Sequence, residues 1–140
     1  MAFRSLMDEM HARLAKRGVR DIRPAYGFVL LAARERPLGV GDVGELLGTT
    51  KQAASKLVDN LEADGYVTRV ASKSDARERR IELTARGHQL LEKVEVIYRE
   101  LEREWSEIIG RDRVEAMRAD IQRVLEHQND GALPPVRPTW

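Results

Sequence analysis

The chain has 140 residues, 42% of them hydrophobic and 34% charged, with 24 basic residues against 23 acidic ones and no cysteine. That length allows one small domain with a core but little surplus surface to bury alone, and the missing cysteines exclude a disulfide scaffold or a thiol switch. A net charge of +1 identifies no partner, so the distribution of charge matters more than its sum.

At the N-terminus, Phe3, Leu6, Met7, Met10 and Leu14 recur at helical spacing and form a stripe that stops at Gly18. Basic residues dominate from Arg4 to Arg23: Arg4, Arg13, Lys16, Arg17, Arg20 and Arg23 stand against Asp8, Glu9 and Asp21, and many glutamates follow Thr84. Such polarity lets one side of a molecule face DNA. Pro24 opens a second helix through Tyr26, Phe28, Leu30 and Leu31. Its apolar run Val29-Leu30-Leu31-Ala32-Ala33, closed by Arg34, is far too short to span a membrane, and nothing reads as a signal peptide. A cytoplasmic protein without membrane partners is expected.

Asp42 to Leu47 reads as a compact helix with Val43, Leu46 and Leu47 inward, ended by Gly48. Gly39, Gly41, Gly44 and Gly48 make this approach rich in glycine, at a cost on the order of 1 kcal/mol per interior helical site. Either Thr49 or Thr50 can cap the next helix, and Thr49 with Gln52 matches a Thr-x-x-Gln capping box. In that helix Ala53, Ala54, Leu57, Val58 and Leu61 form the stripe to be buried, while Lys51, Gln52, Ser55, Lys56, Asp59 and Asn60 fall outward. Donors and acceptors crowded near a helix N-terminus are what DNA-reading helices present. Two short amphipathic helices joined at a glycine also occur in ordinary all-α cores, so the context must decide.

Downstream, Tyr66–Val70 and Ile81–Thr84 read as short strands joined by the polar, basic loop 71–80. A hairpin after a helix-turn-helix makes a winged helix. The loop carries Lys73, Arg77, Arg79 and Arg80 against Asp75 and Glu78, a tip suited to phosphates or the minor groove. A solvated turn whose charges pair with one another is the alternative.

A long helix starts at the Thr84 cap and runs to about Gly110, with Leu90, Leu91, Val94, Ile97, Tyr98, Leu101, Trp105, Ile108 and Ile109 along it. Another spans about Asp112 to Gln128, with Val114, Met117, Ile121, Val124 and Leu125 inward. Stripes at both termini point to an intermolecular bundle, although a self-contained helical core has the same pattern. The tail 131–140 is proline-rich and ends in Trp140, a segment that either lacks order or straps across a partner subunit. Catalysis has little support. His11, His88 and His127 are scattered without metal-ligand spacing, Glu102 and Glu104 sit on a charge-rich helix, and no glycine-rich phosphate loop follows a strand. No catalytic residue, metal or cofactor is expected.

The helix-turn-helix from Asp42 to Asp64, its exit Leu61-Glu62-Ala63-Asp64-Gly65-Tyr66-Val67, the wing element Asp75-Ala76-Arg77 and the helix start Leu83-Thr84-Ala85-Arg86-Gly87 together resemble the multiple-antibiotic-resistance regulator (MarR) family of bacterial transcription factors. Leu46-Leu47, where a Leu-Ala pair is more usual, and the glycine-rich approach depart from the pattern. The resemblance implies a homodimer of winged-helix subunits on double-stranded DNA at a pseudo-palindromic operator, often a repressor released by a small ligand. It implies that Thr50, Lys51, Gln52, Ser55 and Lys56 face the major groove or its phosphates, with Thr49 and Asn60 beside them. Lys73 and Arg79 join them in the wing, where Arg77 enters the minor groove and Asp75 orients it. It also implies a pocket for an aromatic or phenolic effector where the dimerisation helices meet the winged helix. Met10, His11, Leu14, Tyr26, Leu30 and Leu91 are placed to border it, with Tyr26 a polar handle and His11 or Arg13 its partner, though most serve equally well as plain core.

The expected fold is therefore mainly α with a small β-hairpin wing: a winged helix-turn-helix dimerised through N- and C-terminal helices. Residues 1–36 form N-terminal helices, 37–84 the DNA-reading region, 85–130 the C-terminal helices and 131–140 the tail, all in one structural domain. A winged-helix module that binds protein alone, or the dimerisation piece of an enzyme such as a methyltransferase, are the alternatives; the cationic wing argues against the first and the lack of an attached catalytic domain against the second.

Overall fold

The computed structural model describes residues 2–19, 22–71 and 79–128. The tail, residues Lys73, Asp75, Arg77 and Glu78 of the wing loop, Arg20, Asp21 and the side chain of Phe3 lie outside the described set. Six helices and one hairpin follow in the order α1 (Ala2–Lys16), α2 (Pro24–Glu35), α3 (Val40–Leu47), α4 (Lys51–Ala63), β1 (Val67–Ala71), β2 (Arg79–Leu83), α5 (Ala85–Ile109) and α6 (Arg111–Gln128).

The element boundaries have local causes. Pro24 begins α2, where a missing amide proton costs nothing, and Pro37 ends it by holding Arg36 extended at φ −160° and ψ 154°. α3 starts two residues before the expected Asp42, because the Asp42 carboxylate reaches back to accept from the Gly39 amide at 2.7 Å. Gly48 closes α3 in the left-handed conformation at φ 60°. The glycine-rich approach has a packing reason too: a Cβ on Gly44 would sit 3.3 Å from the Thr49 carbonyl oxygen and 3.7 Å from the Ala54 Cβ. Gly44 lets α3 and α4 close on each other.

Thr50, not Thr49, caps α4, and its Oγ1 accepts from the Ala53 amide at 3.2 Å. With Thr50 as the cap, Gln52 falls one position short of a capping box, so the Thr49–Gln52 pairing does not form. Ala54, Val58 and Leu61 are buried and Leu57 is half-buried, but Ala53 is exposed. At about 100° of turn per residue, Ala53 lies a full quarter-turn from Ala54 and leaves the stripe.

β1 and β2 pair antiparallel with Val67 opposite Leu83, Arg69 opposite Ile81 and Ala71 opposite Arg79. Arg79 and Arg80 therefore belong to a strand instead of the loop. Ile81 also exchanges backbone hydrogen bonds with Leu38, at 2.8 and 3.2 Å, which ties the hairpin to the linker between α2 and α3. One core joins Leu14, Val29 and Leu30 to Val43, Val58, Leu61, Ile81 and Ile97, each almost inaccessible and each contributing about 1.5–3 kcal/mol through burial.

α5 is fixed at its start by Thr84, whose hydroxyl donates to the Gly65 carbonyl at 2.6 Å and accepts from the Gly87 amide at 3.1 Å. Along its length it binds α1 through charge. Arg13 makes a two-toothed contact with Glu104 at 2.9 and 2.7 Å, and Arg17 meets Glu100 at 2.7 Å. Two basic residues of the N-terminal segment, Arg13 and Arg17, are thus committed to α5 and not to a phosphate. α6 packs on α5 through buried Val114 and the Arg118–Glu102 ion pair. Met117, Ile121 and Val124, expected inward, stand 41%, 54% and 55% exposed, and only Leu125 of that set beyond Val114 is half-buried. Among the described residues of the single chain, Met117, Ile121 and Val124 are left without full cover.

Candidate nucleic-acid interface

α4 presents the sequence-derived residues at one end of the molecule. Thr49, Thr50, Lys51, Gln52 and Lys56 are exposed, while Ser55 and Asn60 are half-buried at the edges of that face. Among the described residues the side chains of Lys51, Gln52 and Lys56 make no hydrogen bond or ion pair. A cation at the first helical turn adds to the partial positive charge of the helix N-terminus, which makes this end a natural seat for phosphate. Gln52 and Lys56 lie one turn apart, the spacing at which side chains of a groove-bound helix reach successive base steps.

The hairpin stands beside this helix. Arg79 is exposed on β2, whereas Arg80 is half-buried and its Nη1 lies 3.4 Å from the Pro37 carbonyl oxygen. Sequence reasoning passes over Arg69. From β1 it bridges back to Asp59 and Glu62 of α4, and its own amide donates to Glu62 at 3.0 Å. Its guanidinium is held protonated above its ordinary range, first by the hydrogen bond to Asp59. Arg69 follows Tyr66-Val67-Thr68 in strand alternation, and a cation following two helical carboxylates ten and seven residues earlier is the signal available.

A second feature lies between α1, α2 and α5: a cavity of about 110 Å³, bordered by Met10, His11, Leu14, Leu30 and Leu91 of the expected set. Arg23 and Tyr98, not expected there, also border it. The His11 Nε2 atom is buried without a hydrogen-bond partner among the described residues, a state that costs free energy until something fills it. Tyr26 does not line the cavity. Its ring is 2% exposed, packs edge-on against Tyr66 with centroids 6.4 Å apart, and its hydroxyl donates to Asp64 at 3.1 Å. Burial, then that contact, raises the Tyr26 phenol above its ordinary value, so it remains a donor at neutral pH. Arg13 is likewise occupied, by Glu104 and Glu9. Among the described residues no cluster of histidine and carboxylate side chains could hold a metal ion, and no helix is long and apolar enough to cross a membrane.

Known proteins share this architecture and part of this sequence. The exopolysaccharide II synthesis transcriptional activator ExpG of Rhizobium meliloti (strain 1021) is 44% identical over 84 residues, which cover 58% of this chain and 42% of that protein. The matched region thus spans well under half the length of that curated relative. Transcriptional regulator Tm0710 from Thermotoga maritima superposes with a TM-score of 0.68 at 25% identity, covering 91% of this chain and 90% of that one. A mutant of S. aureus MepR bound to an oligodeoxyribonucleotide superposes at 0.65 and 22% identity, over 91% and 93% of the two chains. Residues 21–78 match the profile described as the MarR family.

Proposed function

We propose that this chain is a sequence-specific DNA-binding transcription regulator of the bacterial cytoplasm, acting as a homodimer on a pseudo-palindromic operator, and not an enzyme. The observation that carries the reading is the capped N-terminus of α4, where Lys51, Gln52 and Lys56 are exposed and uncommitted among the described residues. The uncovered apolar face of α6, which a second copy would bury, supports a twofold dimer with two α4 helices about 34 Å apart on the duplex. The sign of regulation depends on where the operator lies relative to the promoter; repression is the family expectation, and the relative ExpG is named an activator.

Sequencing genomic fragments recovered with the purified protein tests the reading directly. A short palindromic motif shared by the fragments is the expected result, and random fragments would leave the protein-binding alternative standing. With that site in hand, Arg77→Ala should weaken binding by about 1–3 kcal/mol without altering the circular dichroism spectrum, as loss of a groove-inserted arginine does. Lys56→Ala should weaken all sequences alike and lower the salt slope by about one unit.

The effector reading rests on the cavity and on His11. Its size leaves room for about one aromatic ring, and the unpartnered Nε2 would meet a phenol or carboxylate. Such a ligand releases DNA by favouring the spacing that cannot bind it, for which a difference of about 1–3 kcal/mol is enough. Salicylate titrated into the operator complex should release DNA from the wild type and less effectively from His11→Phe. A broad panel of such compounds that neither binds nor releases would make the cavity plain core.

A further inference from the structure

We infer that Arg69 is a positioning residue for DNA binding: it clamps the wing to the recognition helix by holding Asp59 and Glu62, and thereby sets the direction in which the hairpin leaves the core. The inference rests on the DNA-binding reading above and adds to it a residue that touches no DNA.

Three contacts converge on one side chain and its own backbone. Nη2 of Arg69 meets the Asp59 carboxylate, Nη1 meets Glu62, and the Arg69 amide donates to the other Glu62 oxygen at 3.0 Å. Its side chain is 26% exposed, against 59% for Asp59 and 36% for Glu62, so the guanidinium is the most sheltered member. Arginine suits this place because its planar fork serves two carboxylates at once, which a lysine ammonium does less well.

Position along the hairpin gives the clamp leverage. Arg69 lies opposite Ile81, the residue whose backbone is bonded to Leu38. The hairpin is therefore fixed at one level from two sides, by Leu38 on the β2 side and by α4 on the β1 side. Beyond it only the pairs Val70 with Arg80 and Ala71 with Arg79 precede the loop. A small rotation at the level of Arg69 would carry the end of the hairpin, Ala71 and Arg79, away from α4. The clamp also occupies two carboxylates on the helix, which if free would repel phosphate.

Removing acids from a DNA-binding face should strengthen binding if charge alone mattered, and that sign separates the two roles. The Asp59→Asn, Glu62→Gln double variant deletes two negative charges and the clamp together. It is expected to bind the recovered operator about tenfold more weakly, the scale of one lost bidentate contact, and Arg69→Gln should do the same with an unchanged salt slope. Combining all three substitutions should weaken binding no further than either, since one unit is broken once. A double variant that binds as tightly as wild type or tighter would overturn the inference. So would a slope lower by about one unit in Arg69→Gln, which would place the arginine on a phosphate.

Amide hydrogen exchange reads the clamp without DNA and distinguishes its failure from failure of the DNA-binding reading. In both Arg69→Gln and the double variant the β1 amides should exchange about tenfold faster while the buried α5 amides hold. Unchanged β1 exchange would overturn the clamp whatever the protein binds. Faster exchange in a protein that recovers no DNA would support the clamp and reject only its role at an operator.

Discussion

Between residues 37 and 84 the apolar stripes find their cover inside the chain: Val43, Ala54, Val58 and Leu61 meet Leu38, Val67 and Ile81 in one cluster. In α6, by contrast, Val114 alone is buried, while Ile121 and Val124 are more than half exposed and Ile108, near the end of α5, is 79% exposed. The first region finds its cover within the chain, in the core it shares with α1, α2 and α5. The second leaves an apolar face exposed in the single chain, the kind of face that a second copy would bury. The difference teaches where to aim: substitutions on the exposed face of α6 leave the shared core of the winged helix intact, so the proposed dimerisation should break separately from DNA reading.

The largest expected effect breaks assembly. Replacing Ile121 and Val124 together by glutamate would force two unpartnered carboxylates into the face proposed to pair, at a cost of several kcal/mol, about 4 or more. Sedimentation velocity at micromolar concentration should show wild-type dimer and variant monomer, with the helical circular dichroism signal largely kept. A variant that stays dimeric would move the interface away from α6 and dissolve the contrast between the regions.

The next effect falls on the seam where the winged helix hands over to α5. A Cβ on Gly87 would sit 2.2 Å from the Tyr66 carbonyl oxygen and 3.1 Å from Leu83. Helix propensity alone would favour alanine there by about 1 kcal/mol. The clash is with backbone, which cannot swing aside, and overpacking of this kind costs about 1–3 kcal/mol or more. Gly87→Ala should therefore be destabilised by about 1–2 kcal/mol net, read as a lower urea midpoint. An equal or raised midpoint would mean that the hairpin base yields easily, and that the central region is less tightly packed than its burial indicates.

Local periodicity makes the helices legible in the sequence, and the glycines, prolines and threonines mark their ends to within a few residues. It serves less well where geometry depends on a neighbour. Periodicity draws Ala53 into the buried stripe because alanine is ambiguous by composition, and only the cap at Thr50 fixes its azimuth. Arg79 and Arg80 look like loop because they are charged, yet strand pairing with Ala71 and Val70 claims them. The place of Tyr26 on α2 suggests the cavity, but its hydroxyl turns to Asp64 instead. The pairing of Arg13 with Glu104 joins residues 91 apart, and no pattern within either helix announces it. Arg69 is legible only as one more cation in a strand.

The smallest expected effect concerns the ion pairs that fasten α1 to α5. Arg17 holds the Glu100 carboxyl below its ordinary value of 4.5, and Arg13 does the same for Glu104. Because the folded values lie below the unfolded ones, protons bind preferentially to the unfolded chain as pH falls. The stability these pairs contribute is thus complete above about pH 5 and is lost as pH drops through the folded values. Both carboxylates are partly exposed, so salt should weaken the effect. Asp42 titrates nearby: burial pushes its carboxyl up, but Arg36 and the Gly39 amide hold it below its ordinary value. Only a difference between proteins therefore reports on the α1–α5 pairs. At fixed protein concentration, the urea midpoint of wild type should fall more steeply between about pH 5 and 3 than that of an Arg13→Met, Arg17→Met variant. Raising salt to about 1 M should narrow the gap. Parallel curves at low salt would show that α1 is held to α5 by apolar packing alone, and that charge adds nothing to that joint.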